Sequence, residues 1–293
     1  MTDTQNEVFK SPVNKIRLFE HGAPGSQNLK LTRKYYTEDM PDGRVKHIVQ
    51  NITDPDIVPY IPDGIGNSTD RQRIPAVLII PGGAFRRLVY NFEGEDVAKW
   101  LNSMGIAAFV LECRLPSDEH DNAEDVPLID AMRAMRVIRG RAQEFGIDEA
   151  KIGVMGFSAG GFMAALLSTA YESDVYVDYK YKDEYDKLSA RPDFAVCSYP
   201  VISIDDCIEA GKRYMSEEQV LERISDSKAK ILHKYNPDKL VRPDMPPVFI
   251  CETDDDRTTL SENSVGFYMA ARKAGVSAEL HIFRTGGHGY GCG

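Results

Sequence analysis

The 293-residue sequence predicts an α/β fold, a mostly parallel central sheet flanked by helices with a small helical cap insertion. Three observations carry that prediction. Short, nearly continuous apolar runs closed by turns recur along the chain, as expected of strands buried on both faces. Segments with a helical apolar stripe stand between them. Their alternation calls for crossover connections and a mostly parallel sheet.

The first seventy or so residues are rich in Pro, Gly, Asn and Asp, with strand-like runs at Val45–Val49 and Ile57–Ile61. "PAVLIIPGG", from Pro75, is the first buried strand. The helical pattern from Glu93 to Met104 puts Val97, Ala98, Leu101 and Met104 on one stripe and stops near Gly105. "GIAAFVLEC" is the next strand, and Leu128 to Phe145 reads as one long helix with Ile129, Met132, Met135 and Ile138 inward and arginines outward. "KIGVMGF", "FAVCSYP", "PPVFICE" and "AELHIF" supply four more strands, with helices opening at Ser158 and Ser261. The charged helical text from Ile204 to Lys239 breaks the rhythm and predicts a cap over one end of the sheet. The tyrosine-rich stretch "YESDVYVDYKYKDEYDKLSARPD" reads as a solvated insertion whose rings pack locally. No repeat or composition shift divides the chain, so residues 1–293 are expected to form a single domain.

Composition narrows the function. Thirty-five basic against 45 acidic residues give a net charge of −10, which argues against nucleic acid or an anionic membrane as partner. Cys113, Cys197, Cys207, Cys251 and Cys292 are dispersed singly, the pattern of reduced thiols in a cytoplasmic protein. The polar opening "MTDTQNEVFK" lacks the apolar core of a secretory signal, although one removed earlier would leave the protein secreted. Neither the cysteines nor the six scattered histidines show zinc spacing, so no metal is expected.

Gly156–Phe157–Ser158–Ala159–Gly160 fits G-x-S-x-G, after a strand and opening a helix. A sharp turn there would strain the middle residue and lift its hydroxyl above the sheet. The hydroxyl would then face the free N–H groups and positive end of the helix dipole. An inert serine N-cap is the competing reading. "IIPGGAF" (Ile79–Phe85) ends another strand in a glycine loop, where the N–H groups of Gly83 and Ala84 could join that of Ala159 around an oxyanion. In "RTGGHGYG" His288 sits among Gly286, Gly287 and Gly289, on a loop suited to a general base. His21, His47, His120, His233 and His281 lie in polar text, in the cap or inside a strand, and have weaker claims. "PPVFICETDDDRTTL" offers Asp254, Asp255 and Asp256 to orient the imidazole. The resulting order, serine, aspartate, histidine, is that of α/β-hydrolases.

These motifs resemble those of the α/β-hydrolase carboxylesterases that include acetyl-xylan and feruloyl esterases, near the hormone-sensitive-lipase and dienelactone-hydrolase branches. "FEHGAPGSQ" (Phe19–Gln27) is similar to that family's N-terminal segment, and "IIPGGAF" to its oxyanion strand and loop. "FEGEDVAKWLNSMGIAAFVLECRLP" and "DAMRAMRVIRGRAQEFGIDEAKIGVMGFSAGG" resemble its next helix–strand unit and its nucleophile region. "DDDRTTLSENS" resembles its acid loop, with Thr259 and Leu260 standing where the family has Val-Pro; that register implies Asp256 as the triad acid, with Asp255 the alternative. The resemblance implies hydrolysis of short acyl esters of sugars or simple alcohols by Ser158, Asp256 and His288, without metal or organic cofactor. A prolyl-oligopeptidase-like peptidase shares the triad order but carries a large preceding module, and a ligand-binding protein on the same scaffold would leave the triad idle. Two departures stand out. Ala84 replaces the family's usual third glycine, and the sequence stops at Gly293, five residues past His288, where relatives continue into a further helix. A homodimer partner is therefore expected to help hold the histidine loop.

Overall fold

The computed structural model describes residues 9–65, 73–176, 183–213, 216, 218–220 and 227–292. Among the described residues, eleven strands form two sheets. They are β1 (Ile16–Arg17), β2 (Lys34–Asp39), β3 (Val45–Gln50), β4 (Asp56–Tyr60), β5 (Ile74–Ile80), β6 (Leu88–Val89), β7 (Ala107–Glu112), β8 (Ile147–Phe157), β9 (Ala195–Ser198), β10 (Val248–Thr253) and β11 (Ala278–Phe283). The main sheet has the order β1-β4-β7-β5-β8-β9-β10-β11, and β2-β3-β6 make a small antiparallel sheet. From β7 through β11 all neighbours pair in parallel; β4 and β1 add an antiparallel edge. Leu78, Ile79, Ala108, Phe109, Val110, Ile152 and Val154 are fully buried in the central strands, which accounts for their unbroken apolar text.

Helices among the described residues include α1 (Asp96–Ser103), α2 (Val126–Gly140), α3 (Ala142–Phe145), α4 (Ala159–Ala170), α5 (Ile204–Lys212), α6 (Ser227–Lys234) and α7 (Ser261–Lys273). The step from β5 through α1 to β7 runs one way along the sheet, and the later parallel crossovers run the other way. Right-handed crossovers in opposite directions put their helices on opposite faces, so α1 covers one face and α2, α4 and α7 the other. On the α1 side of β10 and β11, Phe249 and Phe283 are exposed, with His281 stacked against both at 5.3 and 6.3 Å.

Three expected elements differ. The helix expected from Glu93 starts as a π-helical turn at Asn91–Glu95, whose Glu95 N–H reaches back to Tyr90 C=O at 2.8 Å, and α1 ends at Ser103. Met104 is therefore outside the stripe and half exposed. The long helix breaks at Arg141 into α2 and α3. Its arginines are not in water: Arg133 is buried and binds Leu18 C=O, Asp183 and Asp186, while Arg136 and Arg139 bind Leu188, Ser189 and Arg191 carbonyls. They clamp the tyrosine-rich insertion, part of which (177–182) lies outside the described residues. Within the described part, Tyr185 packs under the Arg133 guanidinium and Tyr171 under those of Arg191 and Arg242, so these rings pack against residues outside the insertion as well as within it, not only locally as expected. The segment expected to form a cap lies between β9 and β10, and Lys234 and Tyr235 tie its end to Asp125 at the start of α2. No helix among the described residues is long and apolar enough to cross a membrane.

Candidate active site

All the expected site residues lie beyond the carboxyl ends of parallel strands, the edge at which open α/β sheets bind ligands. Ser158 follows β8, the glycine loop follows β5, Asp256 follows β10 and His288 follows β11.

Ser158 sits at φ 53°, ψ −117°, a strained conformation for a residue with a side chain. Its surroundings enforce it. The Ser158 N–H donates to Ser198 C=O at 3.0 Å, and its own C=O accepts from Phe162 N–H as α4 begins. Backbone crosses so closely here that a Cβ on Gly156 would lie 2.0 Å from Gly160 O, and one on Gly160 would lie 2.0 Å from Ile80 O. The glycines are the space in which strand, turn and helix meet.

His288 Nε2 lies 2.8 Å from Ser158 Oγ, and His288 Nδ1 lies 2.6 Å from Asp256 Oδ2. Asp256 is almost fully buried. Its Oδ1 accepts the Thr258 and Thr259 N–H groups at 2.7 and 2.9 Å, and its Oδ2 accepts the Thr259 hydroxyl at 2.9 Å. Burial pushes this carboxyl up, but the His288 hydrogen bond and charge and the two threonine N–H groups outweigh burial and hold it below the usual aspartate range. Asp255 takes another part: its carboxylate accepts Gly287 N–H at 2.8 Å, bracing the histidine loop. Thr253 Oγ1 adds a second brace by donating to Gly287 C=O at 2.8 Å. Two hydrogen bonds from within the chain thus brace the histidine loop. The ring of His288 also meets Tyr199 edge-on at 5.0 Å. His120, by contrast, is buried away from this group beside Ser26, where burial pushes it down to about 4.

The glycine loop spans from β5 in the main sheet to β6 in the small one, so both of its ends are fixed. Ala84 and Phe85 are both left-handed, at φ 58° and 61°. Gly82 N–H is engaged by Glu93 Oε2 at 2.8 Å. The N–H groups of Gly83 and Ala84 donate to no protein acceptor among the described residues, and Ala159 N–H is in the first turn of α4, where no earlier helical carbonyl exists. Among the described residues, no three His, Cys, Asp or Glu side chains gather as a metal set.

Two buried groups beside Ser158, His288 and Asp256 leave no mark in the sequence. Glu93 in the π turn and Tyr199 after β9 are hydrogen-bonded to each other at 3.0 Å, though 106 residues apart. A carboxylate at a helix start is ordinarily a dipole partner in water. A strand ending in Tyr-Pro is equally common, and only the fold joins them.

With this geometry in view, comparisons with known proteins are decisive on family. The model of the BD-FAE family matches residues 65–270. The chain belongs to the BD-FAE family. The BD-FAE chain is 35% identical to the acetyl ester-xyloside bifunctional hydrolase of Caldicellulosiruptor lactoaceticus, over 94% of this chain and 88% of that one, with a TM-score of 0.67. It is 31% identical to an acetylxylan esterase of Xylanibacter ruminicola over 74% of this chain, spanning 41% of that protein's length. An endo-1,4-beta-xylanase B of Butyrivibrio fibrisolvens matches at 31% identity over 75% of this chain and 33% of its own length. The BD-FAE chain therefore spans less than half of the curated relatives it matches. A thermophilic esterase of Thermogutta terrifontis shares the α/β-hydrolase fold, at 23% identity and a TM-score of 0.63 over 91% of this chain and 86% of that one.

Proposed function

We propose that this chain is a serine carboxylesterase that removes short acyl groups, acetyl above all, from hydroxyl groups of saccharides or simple alcohols. The observation that carries the proposal is the unbroken relay from Ser158 Oγ through His288 to Asp256, with separations of 2.8 and 2.6 Å, on a strained turn above the sheet. The names of the relatives from Xylanibacter and Caldicellulosiruptor support acetyl esters of xylose-containing saccharides as the substrate class. A mainly apolar pocket lined by Gly82, Phe85, Leu88, Ala159, Gly160 and Met163 lies beside the glycine loop and the start of α4.

In the proposed reaction His288 Nε2 takes the Ser158 proton as Oγ attacks the ester carbonyl carbon. The carbonyl oxygen becomes an oxyanion that accepts from the N–H groups of Gly83, Ala84 and Ala159. Asp256 holds Nδ1–H, fixing the tautomer and stabilising the imidazolium. The carbon–oxygen bond to the alcohol breaks, and the alcohol leaves with the proton from Nε2. Water, deprotonated by His288, then attacks the acyl-enzyme and regenerates Ser158. No cofactor enters any step.

Hydrolysis of p-nitrophenyl acetate, butyrate and octanoate by the wild type and Ser158→Ala tests this reading. The acetate is expected to be cleaved fastest, and the variant to lose on the order of 10⁴–10⁶ in turnover. Activity persisting in Ser158→Ala, or a preference for octanoate, would refute it. Acetylated xylo-oligosaccharides, assayed by released acetate, then test the alcohol side.

A further inference from the structure

The oxyanion loop and the histidine loop belong to opposite ends of the chain, yet one buried chain of hydrogen bonds connects them. Glu93 Oε2 accepts Gly82 N–H at 2.8 Å, immediately before the proposed oxyanion donors. Its Oε1 accepts the Tyr199 hydroxyl at 3.0 Å. Tyr199 Oη in turn accepts Gly291 N–H at 3.0 Å, three residues past His288. Each heteroatom in the series therefore has a matched partner, and removing any one leaves a buried donor without an acceptor.

The surroundings fit a strut. Glu93 is 4% and Tyr199 0% exposed. Glu93 sits in the π-helical turn, a local departure from α geometry of the kind that concentrates at functional sites. Tyr199 is itself left-handed, at φ 38°, and its ring contacts both His288 and Tyr290, at 5.0 and 4.5 Å. The histidine loop lies so close to the π turn that a Cβ on Gly291 would meet Phe92 O at 2.6 Å. Burial pushes the Glu93 carboxyl up, while the Tyr199 hydroxyl, the His288 charge and Gly82 N–H pull against it.

We infer that the Glu93–Tyr199 hydrogen bond is the strut that fixes the oxyanion loop and the histidine loop relative to each other, making both side chains positioning residues for the reaction of Ser158. Neither touches the reacting atoms. Their effect is on how well the N–H donors of one loop and the imidazole of the other meet at a single carbonyl, where a displacement of about 1 Å costs on the order of 100-fold. The inference rests on the reading of Ser158 as a nucleophile, and on nothing about which ester it cleaves.

Tyr199→Phe is the cleanest test, because it keeps the ring against His288 and removes only the hydroxyl. Glu93→Gln is the second, since its amide N–H groups face a hydroxyl that already receives Gly291 N–H. Both are expected to slow fluorophosphonate labelling of Ser158 by roughly 10–100-fold. They are expected to lower kcat per labelled serine for p-nitrophenyl acetate similarly, with KM within about twofold, and the double variant should lose little beyond either single one. A purely structural pair would lower Tm and the fraction of labelled protein while leaving kcat per labelled serine unchanged, and that result would overturn the inference. Should Glu93→Gln fail to fold, labelling of Tyr199→Phe within twofold of wild type overturns it alone. Rapid labelling of a wild type that hydrolyses no ester would count against the esterase reading only.

Discussion

At the scale of single residues, the strain at Ser158 is the most informative feature. A side chain at φ 53°, ψ −117° costs about 1–3 kcal/mol, which the surrounding hydrogen bonds sustain. Glycine would relax that cost, whereas alanine would not. Ser158→Gly is therefore expected to be about 1–2 kcal/mol more stable than Ser158→Ala in urea unfolding, net of glycine's greater freedom in the unfolded chain. Neither variant should be labelled by a fluorophosphonate, and the reverse order of stability would remove strain from the account. The proposed nucleophile was legible in the sequence because this strain needs small residues at fixed offsets, Gly156 and Gly160. Glu93 and Tyr199 were not, since a carboxyl and a hydroxyl 106 residues apart leave no local pattern. Among the three consecutive aspartates the resemblance pointed to Asp256, with Asp255 as the alternative, and in space Asp256 faces His288 and Asp255 a backbone N–H.

At the scale of elements, the crossing of β8 and α4 over the end of β5 leaves no room for side chains. Gly160→Ala places a Cβ 2.0 Å from Ile80 O, a backbone atom that cannot yield without moving β5. It is expected to cost more than about 4 kcal/mol or to prevent folding. Gly266→Ala in α7 is the contrasting case, because nothing lies within 4 Å of the added Cβ and the residue is exposed in mid-helix. It should stabilise by about 0.5–1 kcal/mol. Equal unfolding midpoints for the two variants would sink the packing argument. The parallel strands were readable as continuous apolar text because both of their faces are covered. The small sheet was only partly readable: β3 and β4 showed as runs, but β2 (KYYTED) is half exposed and polar. The π turn was read as plain helix, since the amphipathic stripe of α1 begins just after it and masks the change of pitch. The fate of the α2 arginines was hidden too, because an arginine on the outer side of a helix reads as solvated until an insertion folds over it.

At the scale of the whole molecule, buried carboxyls set the pH range in which the fold holds. Glu252, fully buried at the end of β10, is pushed up to about 8 by burial, against the Thr253 N–H and Ser264 hydroxyl that it accepts. Its ordinary value is 4.5. Below that, folded and unfolded chains both keep the proton; between about 4.5 and 8 only the folded chain does, so stability falls as pH rises and then levels off. Glu252→Gln should abolish this contribution, so that its stability advantage over wild type grows by about 1.4 kcal/mol for each pKa unit separating the two states. Parallel stability–pH curves for the two proteins would contradict the burial argument. The fold also has a consequence for assembly. Ser158 and His288 lie 130 residues apart, and His288 is carried to the serine by the loop that follows β11, the strand paired with β10 at the sheet edge. A chain in which β11 is undocked carries its serine uncoupled from that imidazole, so chemical competence reports that this edge of the sheet has formed.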